Sequence, residues 1–445
     1  MRRIHLDFYK LSSILSEFED GHIYLSFEPE VFDFTDKDAQ PKLNFYGQNK
    51  IDFSIVLTDE NLFLTLSLLK LSLFSKRFKI ITYNWKNFAS FVVAKTKKTF
   101  SVECSIIDLK ILESYSGNKG NPPTSFAQAL HRLRNLITSG LWKEIEERYK
   151  NIFLPLMTCV IPHLETTHVL DLSTGARVFA HYDIDGQENG RLRCSNVFKS
   201  GFVPHALKPD QKDCLKVRDS DDLFMYFDFK GMEVFVLAAL SNDKLLRDLC
   251  AEKDVYAALW TSLTNQEVCQ ANDRDLVKKM FLPVIYGQSA YSLSQRLGIS
   301  KESADAFVDS IKQKFKTSLS YVQSHEEFLK QYGYTKDIFG KRRTNYESGK
   351  EYLARNFSIQ APSALICMEK LIDLYFALND KTAIAYTVHD GYVVYANKKN
   401  WNEIYQIGLR VLTAESKLLP NLKLKVSCKA GRKLNALKSI TKGNQ

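Results

Sequence analysis

The chain has 445 residues, enough for two or three domains with large cores, and 45% hydrophobic with 25% charged residues place it among ordinary globular proteins. No uninterrupted apolar run is long enough to span a bilayer, so no membrane partner is expected, and MRRIHLDFYKLSS has charge but neither an apolar core nor a small-residue cleavage site. Eight scattered cysteines without a C-x-x-C pair exclude a disulfide framework and a zinc knuckle and fit a reducing cytoplasm, while a formal charge of +10 points to a polyanionic partner.

Residues 1 to about 115 read as mixed α/β, with strand-like HIYLSF and KIITYNW and helix-like ENLFLTLSLLKL. SGNKGNPPTS, Ser116 to Ser125, reads as a linker or exposed loop. Two amphipathic helices follow, one carrying Phe126, Leu130, Leu133 and Ile137, the other Trp142, Ile145, Tyr149 and Phe153. From about Thr166 the chain reads as one large α/β unit with a helical insertion. In it, Leu223 to Phe227 forms an apolar strand ending at Asp228, and MEVFVLAAL after Gly231 a buried helix. Ser300 caps a helix whose stripe is Ala304, Phe307, Val308, Ile311, Phe315 and Leu319, with a stop near Tyr332-Gly333. AIAYTVHDGYVVYAN places two apolar runs around His389-Asp390-Gly391; Asp-Gly between β-rich runs predicts a hairpin with Asp390 at its tip. After Glu415 no acid remains, while Lys417, Lys423, Lys425, Lys429, Arg432, Lys433, Lys438 and Lys442 accumulate, as in a polyanion contact or a solvated basic tail.

Asp228 and Asp390 are thus strand-end acids far apart in the chain. A two-metal phosphoryl-transfer site needs such a pair, because ions roughly 3.5–4 Å apart must be bridged by carboxylates that cannot wander. Arg274, Lys278, Leu282 and Tyr286 recur every four residues, which puts them along one slowly drifting helix face. Two cations one turn apart can grip a triphosphate, with Tyr286 farther along toward a base. Taken alone, the same spacing also describes a solvated face with an ordinary helix stop.

RDLVKKMFLPVIYGQSAYSLSQRL, from Arg274, resembles the fingers motif of DNA polymerase family A, the DNA polymerase I family, with Arg, Lys, Tyr and Gly in register. FDFKGMEVFVLAALSND resembles the family's first palm motif and TVHDGYVV its last; DIFGKRRTNYE and RNFSIQAPSALICMEKL resemble segments between them, and ENGRLRCSN an upstream motif. The resemblance runs from about Tyr182 to the end. It implies an α/β (α+β) right-hand polymerase: an exonuclease-like domain over 1–115, a short thumb over 116–165, palm over 166–243 and 346–445, and fingers over 244–345. It further implies template-directed addition of dNTPs to a primer 3′-hydroxyl with pyrophosphate release. Asp228, Asp390 and the Phe229 carbonyl would hold two Mg²⁺ ions, with Mn²⁺ able to substitute. Arg274 and Lys278 would hold the β- and γ-phosphates, Leu282 and Tyr286 would face the base, and Glu233 with Tyr286 would block a ribose 2′-hydroxyl. Arg191, Asn356, Gln360 and His389 fall on primer–template contacts, and Arg342 and Arg343 would meet its phosphates. A single-subunit RNA polymerase and an inactive DNA-binding relative are the competing readings.

The sequence departs from the family pattern in several places. Gly391 stands where the family carries a glutamate. Leu282 replaces an aromatic residue, and Pro283 inside the helix forfeits a backbone hydrogen bond at a cost of about 3 kcal/mol, so a kink before Tyr286 is expected. The amino-terminal region keeps Glu28 and Asp108 but lacks the other acids of an editing exonuclease, so no proofreading is expected. The short thumb implies weak processivity unless a partner closes the grip.

Overall fold

The structure, a computed structural model, describes residues 22–28, 41–46, 52–58, 62–72, 79–99 and 105–440, the last span less 119, 172–173, 185, 199–201, 209–210, 213, 267–268 and 381–382. The stretch MRRIHLDFYKLSS, Lys442 and the Phe126 side chain lie outside the described residues.

The first unit is a five-stranded sheet of β1 (His22–Glu28), β2 (Lys42–Tyr46), β3 (Asp52–Val56), β4 (Lys79–Tyr83) and β5 (Ser105–Asp108), in the order β3-β2-β1-β4-β5. The β1–β4 and β4–β5 pairs are parallel, so each needs a crossover. Helix α1 (Leu62–Ser72) precedes β4 and α2 (Trp85–Thr96) links β4 to β5, whose end leads straight into α3 (Leu109–Tyr115). Strand residues Ile23, Leu25, Ile80 and Ile81 and helix residues Trp85, Phe88 and Phe91 are buried together.

Next come α4 (Phe126–Thr138) and α5 (Leu141–Arg148). The sequence reading ends the second helix near Phe153, but helical structure continues through π turns at Tyr149–Phe153 and Leu156–Val160 into α6 (Ile161–Thr166). The continuation is hidden because LPLMTCVIPHL is apolar all round, and Pro155 and Pro162 look like breakers. Widened turns let a helix pass a residue that has no N–H to give.

Small antiparallel ladders follow: β6 (His168–Asp171), β7 (Arg177–Phe179), β8 (His181–Asp183), β9 (Arg193–Ser195) and β10 (Leu215–Lys216) pair as β10-β6-β7 and β8-β9. Then β11 (Asp222–Phe229) opens a helical run: α7 (Met232–Ser241), α8 (Lys244–Ala251), α9 (Val255–Thr264), α10 (Ala271–Ile285), α11 (Ala290–Leu297), α12 (Lys301–Lys314) and α13 (Lys316–Tyr332). Ser300 caps α12 by accepting from the Ser303 amide, and α13 stops at Gly333 with φ 75°, both as the sequence implies. The stripe through Leu319 nevertheless spans two helices, broken at Phe315 (φ −110°, ψ 43°). Both helices face the same core, so the stripe survives the break.

A β12 (Thr335–Lys336)–β13 (Arg342–Arg343) ribbon leads to α14 (Leu353–Ala377), then β14 (Ile384–Val388), β15 (Gly391–Asn397), α15 (Trp401–Leu412), β16 (Val426–Gly431) and β17 (Lys438–Ser439). These strands take β11 into an antiparallel sheet ordered β14-β15-β11-β16-β17, so β11 is its central strand. Phe227 is fully buried and its ring lies against α15 at Gly408, where a Cβ would come within 2.3 Å of it. Only glycine lets α15 approach the strand that carries Asp228. No helix among the described residues is long and apolar enough to cross a membrane.

A buried ionic cluster ties the first sheet to the rest. Glu165 of α6 receives Lys86 Nζ of α2 at 2.7 Å, Ser90 Oγ at 2.6 Å and the Tyr182 amide of β8 at 2.9 Å, with His181 Nδ1 at 3.0 Å. Burial opposes its ionisation, but Lys86 and His181 outweigh burial and hold the carboxyl well below the usual range.

Candidate active site

The central strand brings the two acids together. In the β11–β15 register Asp228 lies directly opposite Gly391, the residue after Asp390. The hairpin differs in detail from the expected Asp-Gly turn. Val388 pairs with Gly391, so the two turn residues are His389 and Asp390, with His389 at φ 53°. Gly391 is the first strand residue and has no positive φ. Asp390 is at the turn tip beside Asp228, as the sequence implies, but glycine is required at 391 for space: a Cβ there would lie 2.6 Å from the Tyr226 ring and 2.9 Å from the Phe227 carbonyl oxygen.

Both carboxyls are pushed above the ordinary aspartate range. For Asp228 the causes are burial and then the negative charge of Asp390, partly offset by a hydrogen bond from Tyr226 and by Lys278 and Lys429. For Asp390 burial dominates, countered by its own backbone amide and by Arg191. Two half-buried acids that resist ionising side by side are a site for positive charge. Among the described residues no cluster of three or more His, Cys, Asp or Glu forms a cage. The protein offers two carboxylates and the Phe229 carbonyl at the end of β11, a hard-oxygen set that suits a divalent cation retaining water and substrate oxygens.

Helix α10 carries Arg274, Lys278, Leu282 and Pro283 and ends at Tyr286. Lys278 is exposed and close enough to Asp228 to favour its ionised form. Arg274 is already held: its Nε donates to Asp254 Oδ2 at 2.7 Å, and its guanidinium lies 5.4 Å from the Tyr256 ring centre. Asp254 also caps α9 by accepting from the Tyr256 and Ala257 amides. Despite Pro283, α10 is unbroken to Ile285. Proline at 283 leaves the Lys279 carbonyl without its in-helix donor, and Arg296 of α11 supplies one at 2.7 Å.

Glu233, in the first turn of α7, sits between two of the expected site residues. Arg191 donates to its Oε1 at 2.5 Å and the buried Tyr286 hydroxyl to its Oε2 at 2.7 Å. Arg191 and Glu233 line a cleft of about 880 Å³ that also contains His205, Ser363 and Asp390, and Tyr286 meets it through its bond to Glu233. His389 is exposed with its ring 5.0 Å from that of His205, whose pKa burial and then His389 press down to about 4.

The other expected contacts lie outside the lining of this cleft, Arg342 and Arg343 in a separate, smaller pocket with Glu188 and Lys341. Gln360 of α14 accepts from Asn189 at 3.2 Å, and Asn356, one turn earlier, has a buried Oδ1 with no partner among the described residues. Arg343 is paired with Glu188 at 2.7 Å, and Arg342 stands 3.7 Å from Glu144. Leu282 is half-buried.

In the amino-terminal sheet Asp108 is fully buried and its carboxylate accepts from the Asn84, Trp85, Lys110 and Ile111 amides, capping α2 and α3 together. Burial still pushes it up to about 6. Glu28 is exposed at the end of β1, two strands away.

Sequence reasoning missed Tyr226, Asp254 and Arg296. Tyr226 had a signal: two residues before Asp228 on a strand is the same face. Asp254 had one too, as the acid just before VYAALW, a helix start. Arg296 had none, because its partner is a backbone carbonyl on another helix.

The description of DNA polymerase family A matches residues 142–436, more than half of the chain. Among curated proteins the chain is 27% identical over 274 residues to DNA polymerase I of Chloroflexus aurantiacus, covering 57% of this chain and 29% of that protein. It is 28% identical over 257 residues to DNA polymerase I of Bacillus subtilis, covering 54% and 27%. The chain therefore spans under a third of the length of these relatives. Among solved structures, the POL domain of Pol1 from M. smegmatis, in complex with DNA primer-template and dNTP, shares the fold at a TM-score of 0.75 and 16% identity, over 96% of this chain and 98% of that one. On the extent of the family match, this chain belongs to DNA polymerase family A.

Proposed function

We propose that the chain is a template-directed DNA polymerase, adding deoxynucleotides to a primer 3′-hydroxyl and releasing pyrophosphate. The observation that carries this reading is the β11–β15 register, which puts Asp228 beside Asp390 on a central strand while α10 brings Lys278 toward the same carboxylate. The solved neighbour bound to primer-template and dNTP supports the same substrates here. On this reading 166–243 and 346–445 form the palm, 244–345 the fingers, 116–165 a short thumb, and 1–115 an exonuclease-like domain.

Asp228, Asp390 and the Phe229 carbonyl would hold two divalent cations, magnesium by preference with manganese substituting. Bound there, such ions lower the pKa of the attacking hydroxyl and neutralise charge on the transferring phosphate. The chain's own groups do the rest by position and charge. Lys278 and Arg274 bind the β- and γ-phosphates, Arg274 leaving or sharing Asp254 to do so. Tyr286, held by Glu233, forms the floor of the sugar pocket, and Leu282 lies one turn before it on α10. Arg191, His389, Asn356 and Gln360 line the primer–template path, where polar side chains meet base edges in the minor groove. Arg342 and Arg343, tethered to Glu144 and Glu188, meet phosphates.

Asp108 is occupied by four backbone amides, which supports an amino-terminal domain that scaffolds and does not edit. A processivity partner would offset the short thumb. The seven free cysteines among the described residues fit work in a reducing cytoplasm.

Primer extension tests the reading. Asp228→Ala and Asp390→Ala should each lower the rate at least about 10²–10³-fold, the loss typical of removing one stabiliser of transition-state charge. Duplex binding should persist in both and weaken steeply with salt. Equal extension by wild type and either variant refutes the proposal.

A further inference from the structure

Strand periodicity places Tyr226 on the same face of β11 as Asp228, and the antiparallel register makes Gly391 its diagonal neighbour on β15. The Tyr226 hydroxyl donates to Asp228 Oδ1 at 3.0 Å. Its ring and hydroxyl fill the space beside Gly391 so closely that a Cβ at 391 would lie 2.6 Å from Cε2 and 2.7 Å from the hydroxyl oxygen. Any larger side chain at 391 would have to displace this phenol. We propose that Tyr226 is the positioning residue for Asp228, occupying, through the glycine at 391, the place where an auxiliary carboxylate would otherwise stand. This deepens the two-cation reading of the same site and rests on it.

The chemistry of the exchange is specific. A glutamate at 391 would add a third negative charge, whereas a phenol adds none and fixes one carboxylate in place. A carboxylate has about four lone-pair sites across its oxygens, so one bond from Tyr226 leaves the others for cations. The phenol thus restricts rotation of Asp228 without blocking it. The site gains orientation in place of charge, and its affinity for a divalent ion depends on the Tyr226 bond.

The probe is manganese alone, titrated by electron paramagnetic resonance into the full chain bound to a primer–template duplex, with no nucleotide and no turnover. Tyr226→Phe keeps the ring and removes the bond. It should weaken Mn²⁺ binding about 10-fold, the lower end of what one hydrogen bond to a charged group contributes, while duplex affinity is unchanged. Gly391→Ala should weaken it too, and in a Tyr226→Ala background the added effect of Gly391→Ala should shrink, because the two closest contacts, both on Tyr226, are gone. Unchanged or tighter Mn²⁺ binding in Tyr226→Phe, or strictly additive effects of the two positions, overturns the proposal. Asp228→Asn separates it from the reading beneath: if that variant binds Mn²⁺ like wild type, the two-cation site itself fails. If Asp228→Asn loses the ion and Tyr226→Phe does not weaken it, only the role of Tyr226 fails.

Discussion

Replacing Glu233 is the sharpest test of sugar selection at this site. Its carboxylate holds Arg191 through one oxygen and the buried Tyr286 hydroxyl, at 2.7 Å, through the other. A ribose 2′-hydroxyl entering this corner must displace the tyrosine bond or remain unpaired. A hydrogen bond to a charged group contributes about 1.5–3 kcal/mol, so Glu233→Ala should lower the preference for deoxyribonucleotides over ribonucleotides about 10- to 150-fold. Glu233→Gln keeps both the volume and an acceptor oxygen for Tyr286 and gives up only the charge facing Arg191; its preference should fall by no more than a few-fold, about 1 kcal/mol at most. Single-nucleotide incorporation with dNTP and rNTP in parallel, reported as the ratio of kcat/KM values, separates the two. An unchanged ratio in Glu233→Ala, or an equal fall in both variants, refutes the gate. Equal use of both sugars by the wild type would favour an RNA polymerase.

Three further outcomes are expected. Because burial and Asp390 raise the folded-state pKa of Asp228 above its unfolded value, the ionised form costs stability above the folded pKa and the cost vanishes below the unfolded one. Metal-free Asp228→Asn should therefore melt higher than wild type at pH 7–8, and the gap should close as pH falls toward 4; a variant that melts lower throughout contradicts the site's electrostatics. Lys86→Met leaves the buried Glu165 without its 2.7 Å partner and should cost about 3–5 kcal/mol in urea unfolding. The depressed pKa of Glu165 gives the complementary pH signature, a contribution present above the unfolded value near 4.3 and lost as pH drops through and below it. Arg296→Ala hands the exposed Lys279 carbonyl to water and should cost about 0.5 kcal/mol, but less in a Pro283→Ala background where the helix supplies its own donor; additive losses would sink that explanation.

What the sequence made legible follows the range of each interaction. Asp228 and Asp390 could be read because each ends an apolar strand, and a strand end next to a turn is a local pattern. The Arg274 to Tyr286 face could be read because a helix repeats within four residues. The need for glycine at 391 could not, since the closest clash comes from Tyr226, far upstream and diagonal to it across a strand pair. Nor could the state of Arg274, tied to a cap on a neighbouring helix. The helical stretch through Met157 was illegible for a different reason: a segment buried on every side loses its periodicity, and its prolines signal a stop that π turns absorb. Asp108 stands out in the sequence as an acid at a strand end, but its role as a cap for two helices depends on the parallel register that sets Thr82 beside it.

Two departures from the family pattern that look like decay in the sequence have different meanings in three dimensions. Gly391 loses a carboxylate, and Pro283 deletes a donor from α10, the helix proposed to hold the phosphates. Random erosion would leave a void at the first and a bare carbonyl at the second, since nothing would select a partner for either. The structure instead shows a phenol against Gly391 that hydrogen-bonds Asp228, and a guanidinium on the Lys279 carbonyl freed by Pro283. Tyr226 bonds the acid itself, and Arg296 bonds the one α10 carbonyl that Pro283 leaves without a helical donor. A relative that merely bound DNA would need neither, because phosphate contacts position a duplex without an oriented acid. Paired compensation beside the acid and on α10 therefore supports the proposal of a working catalyst over an inert descendant.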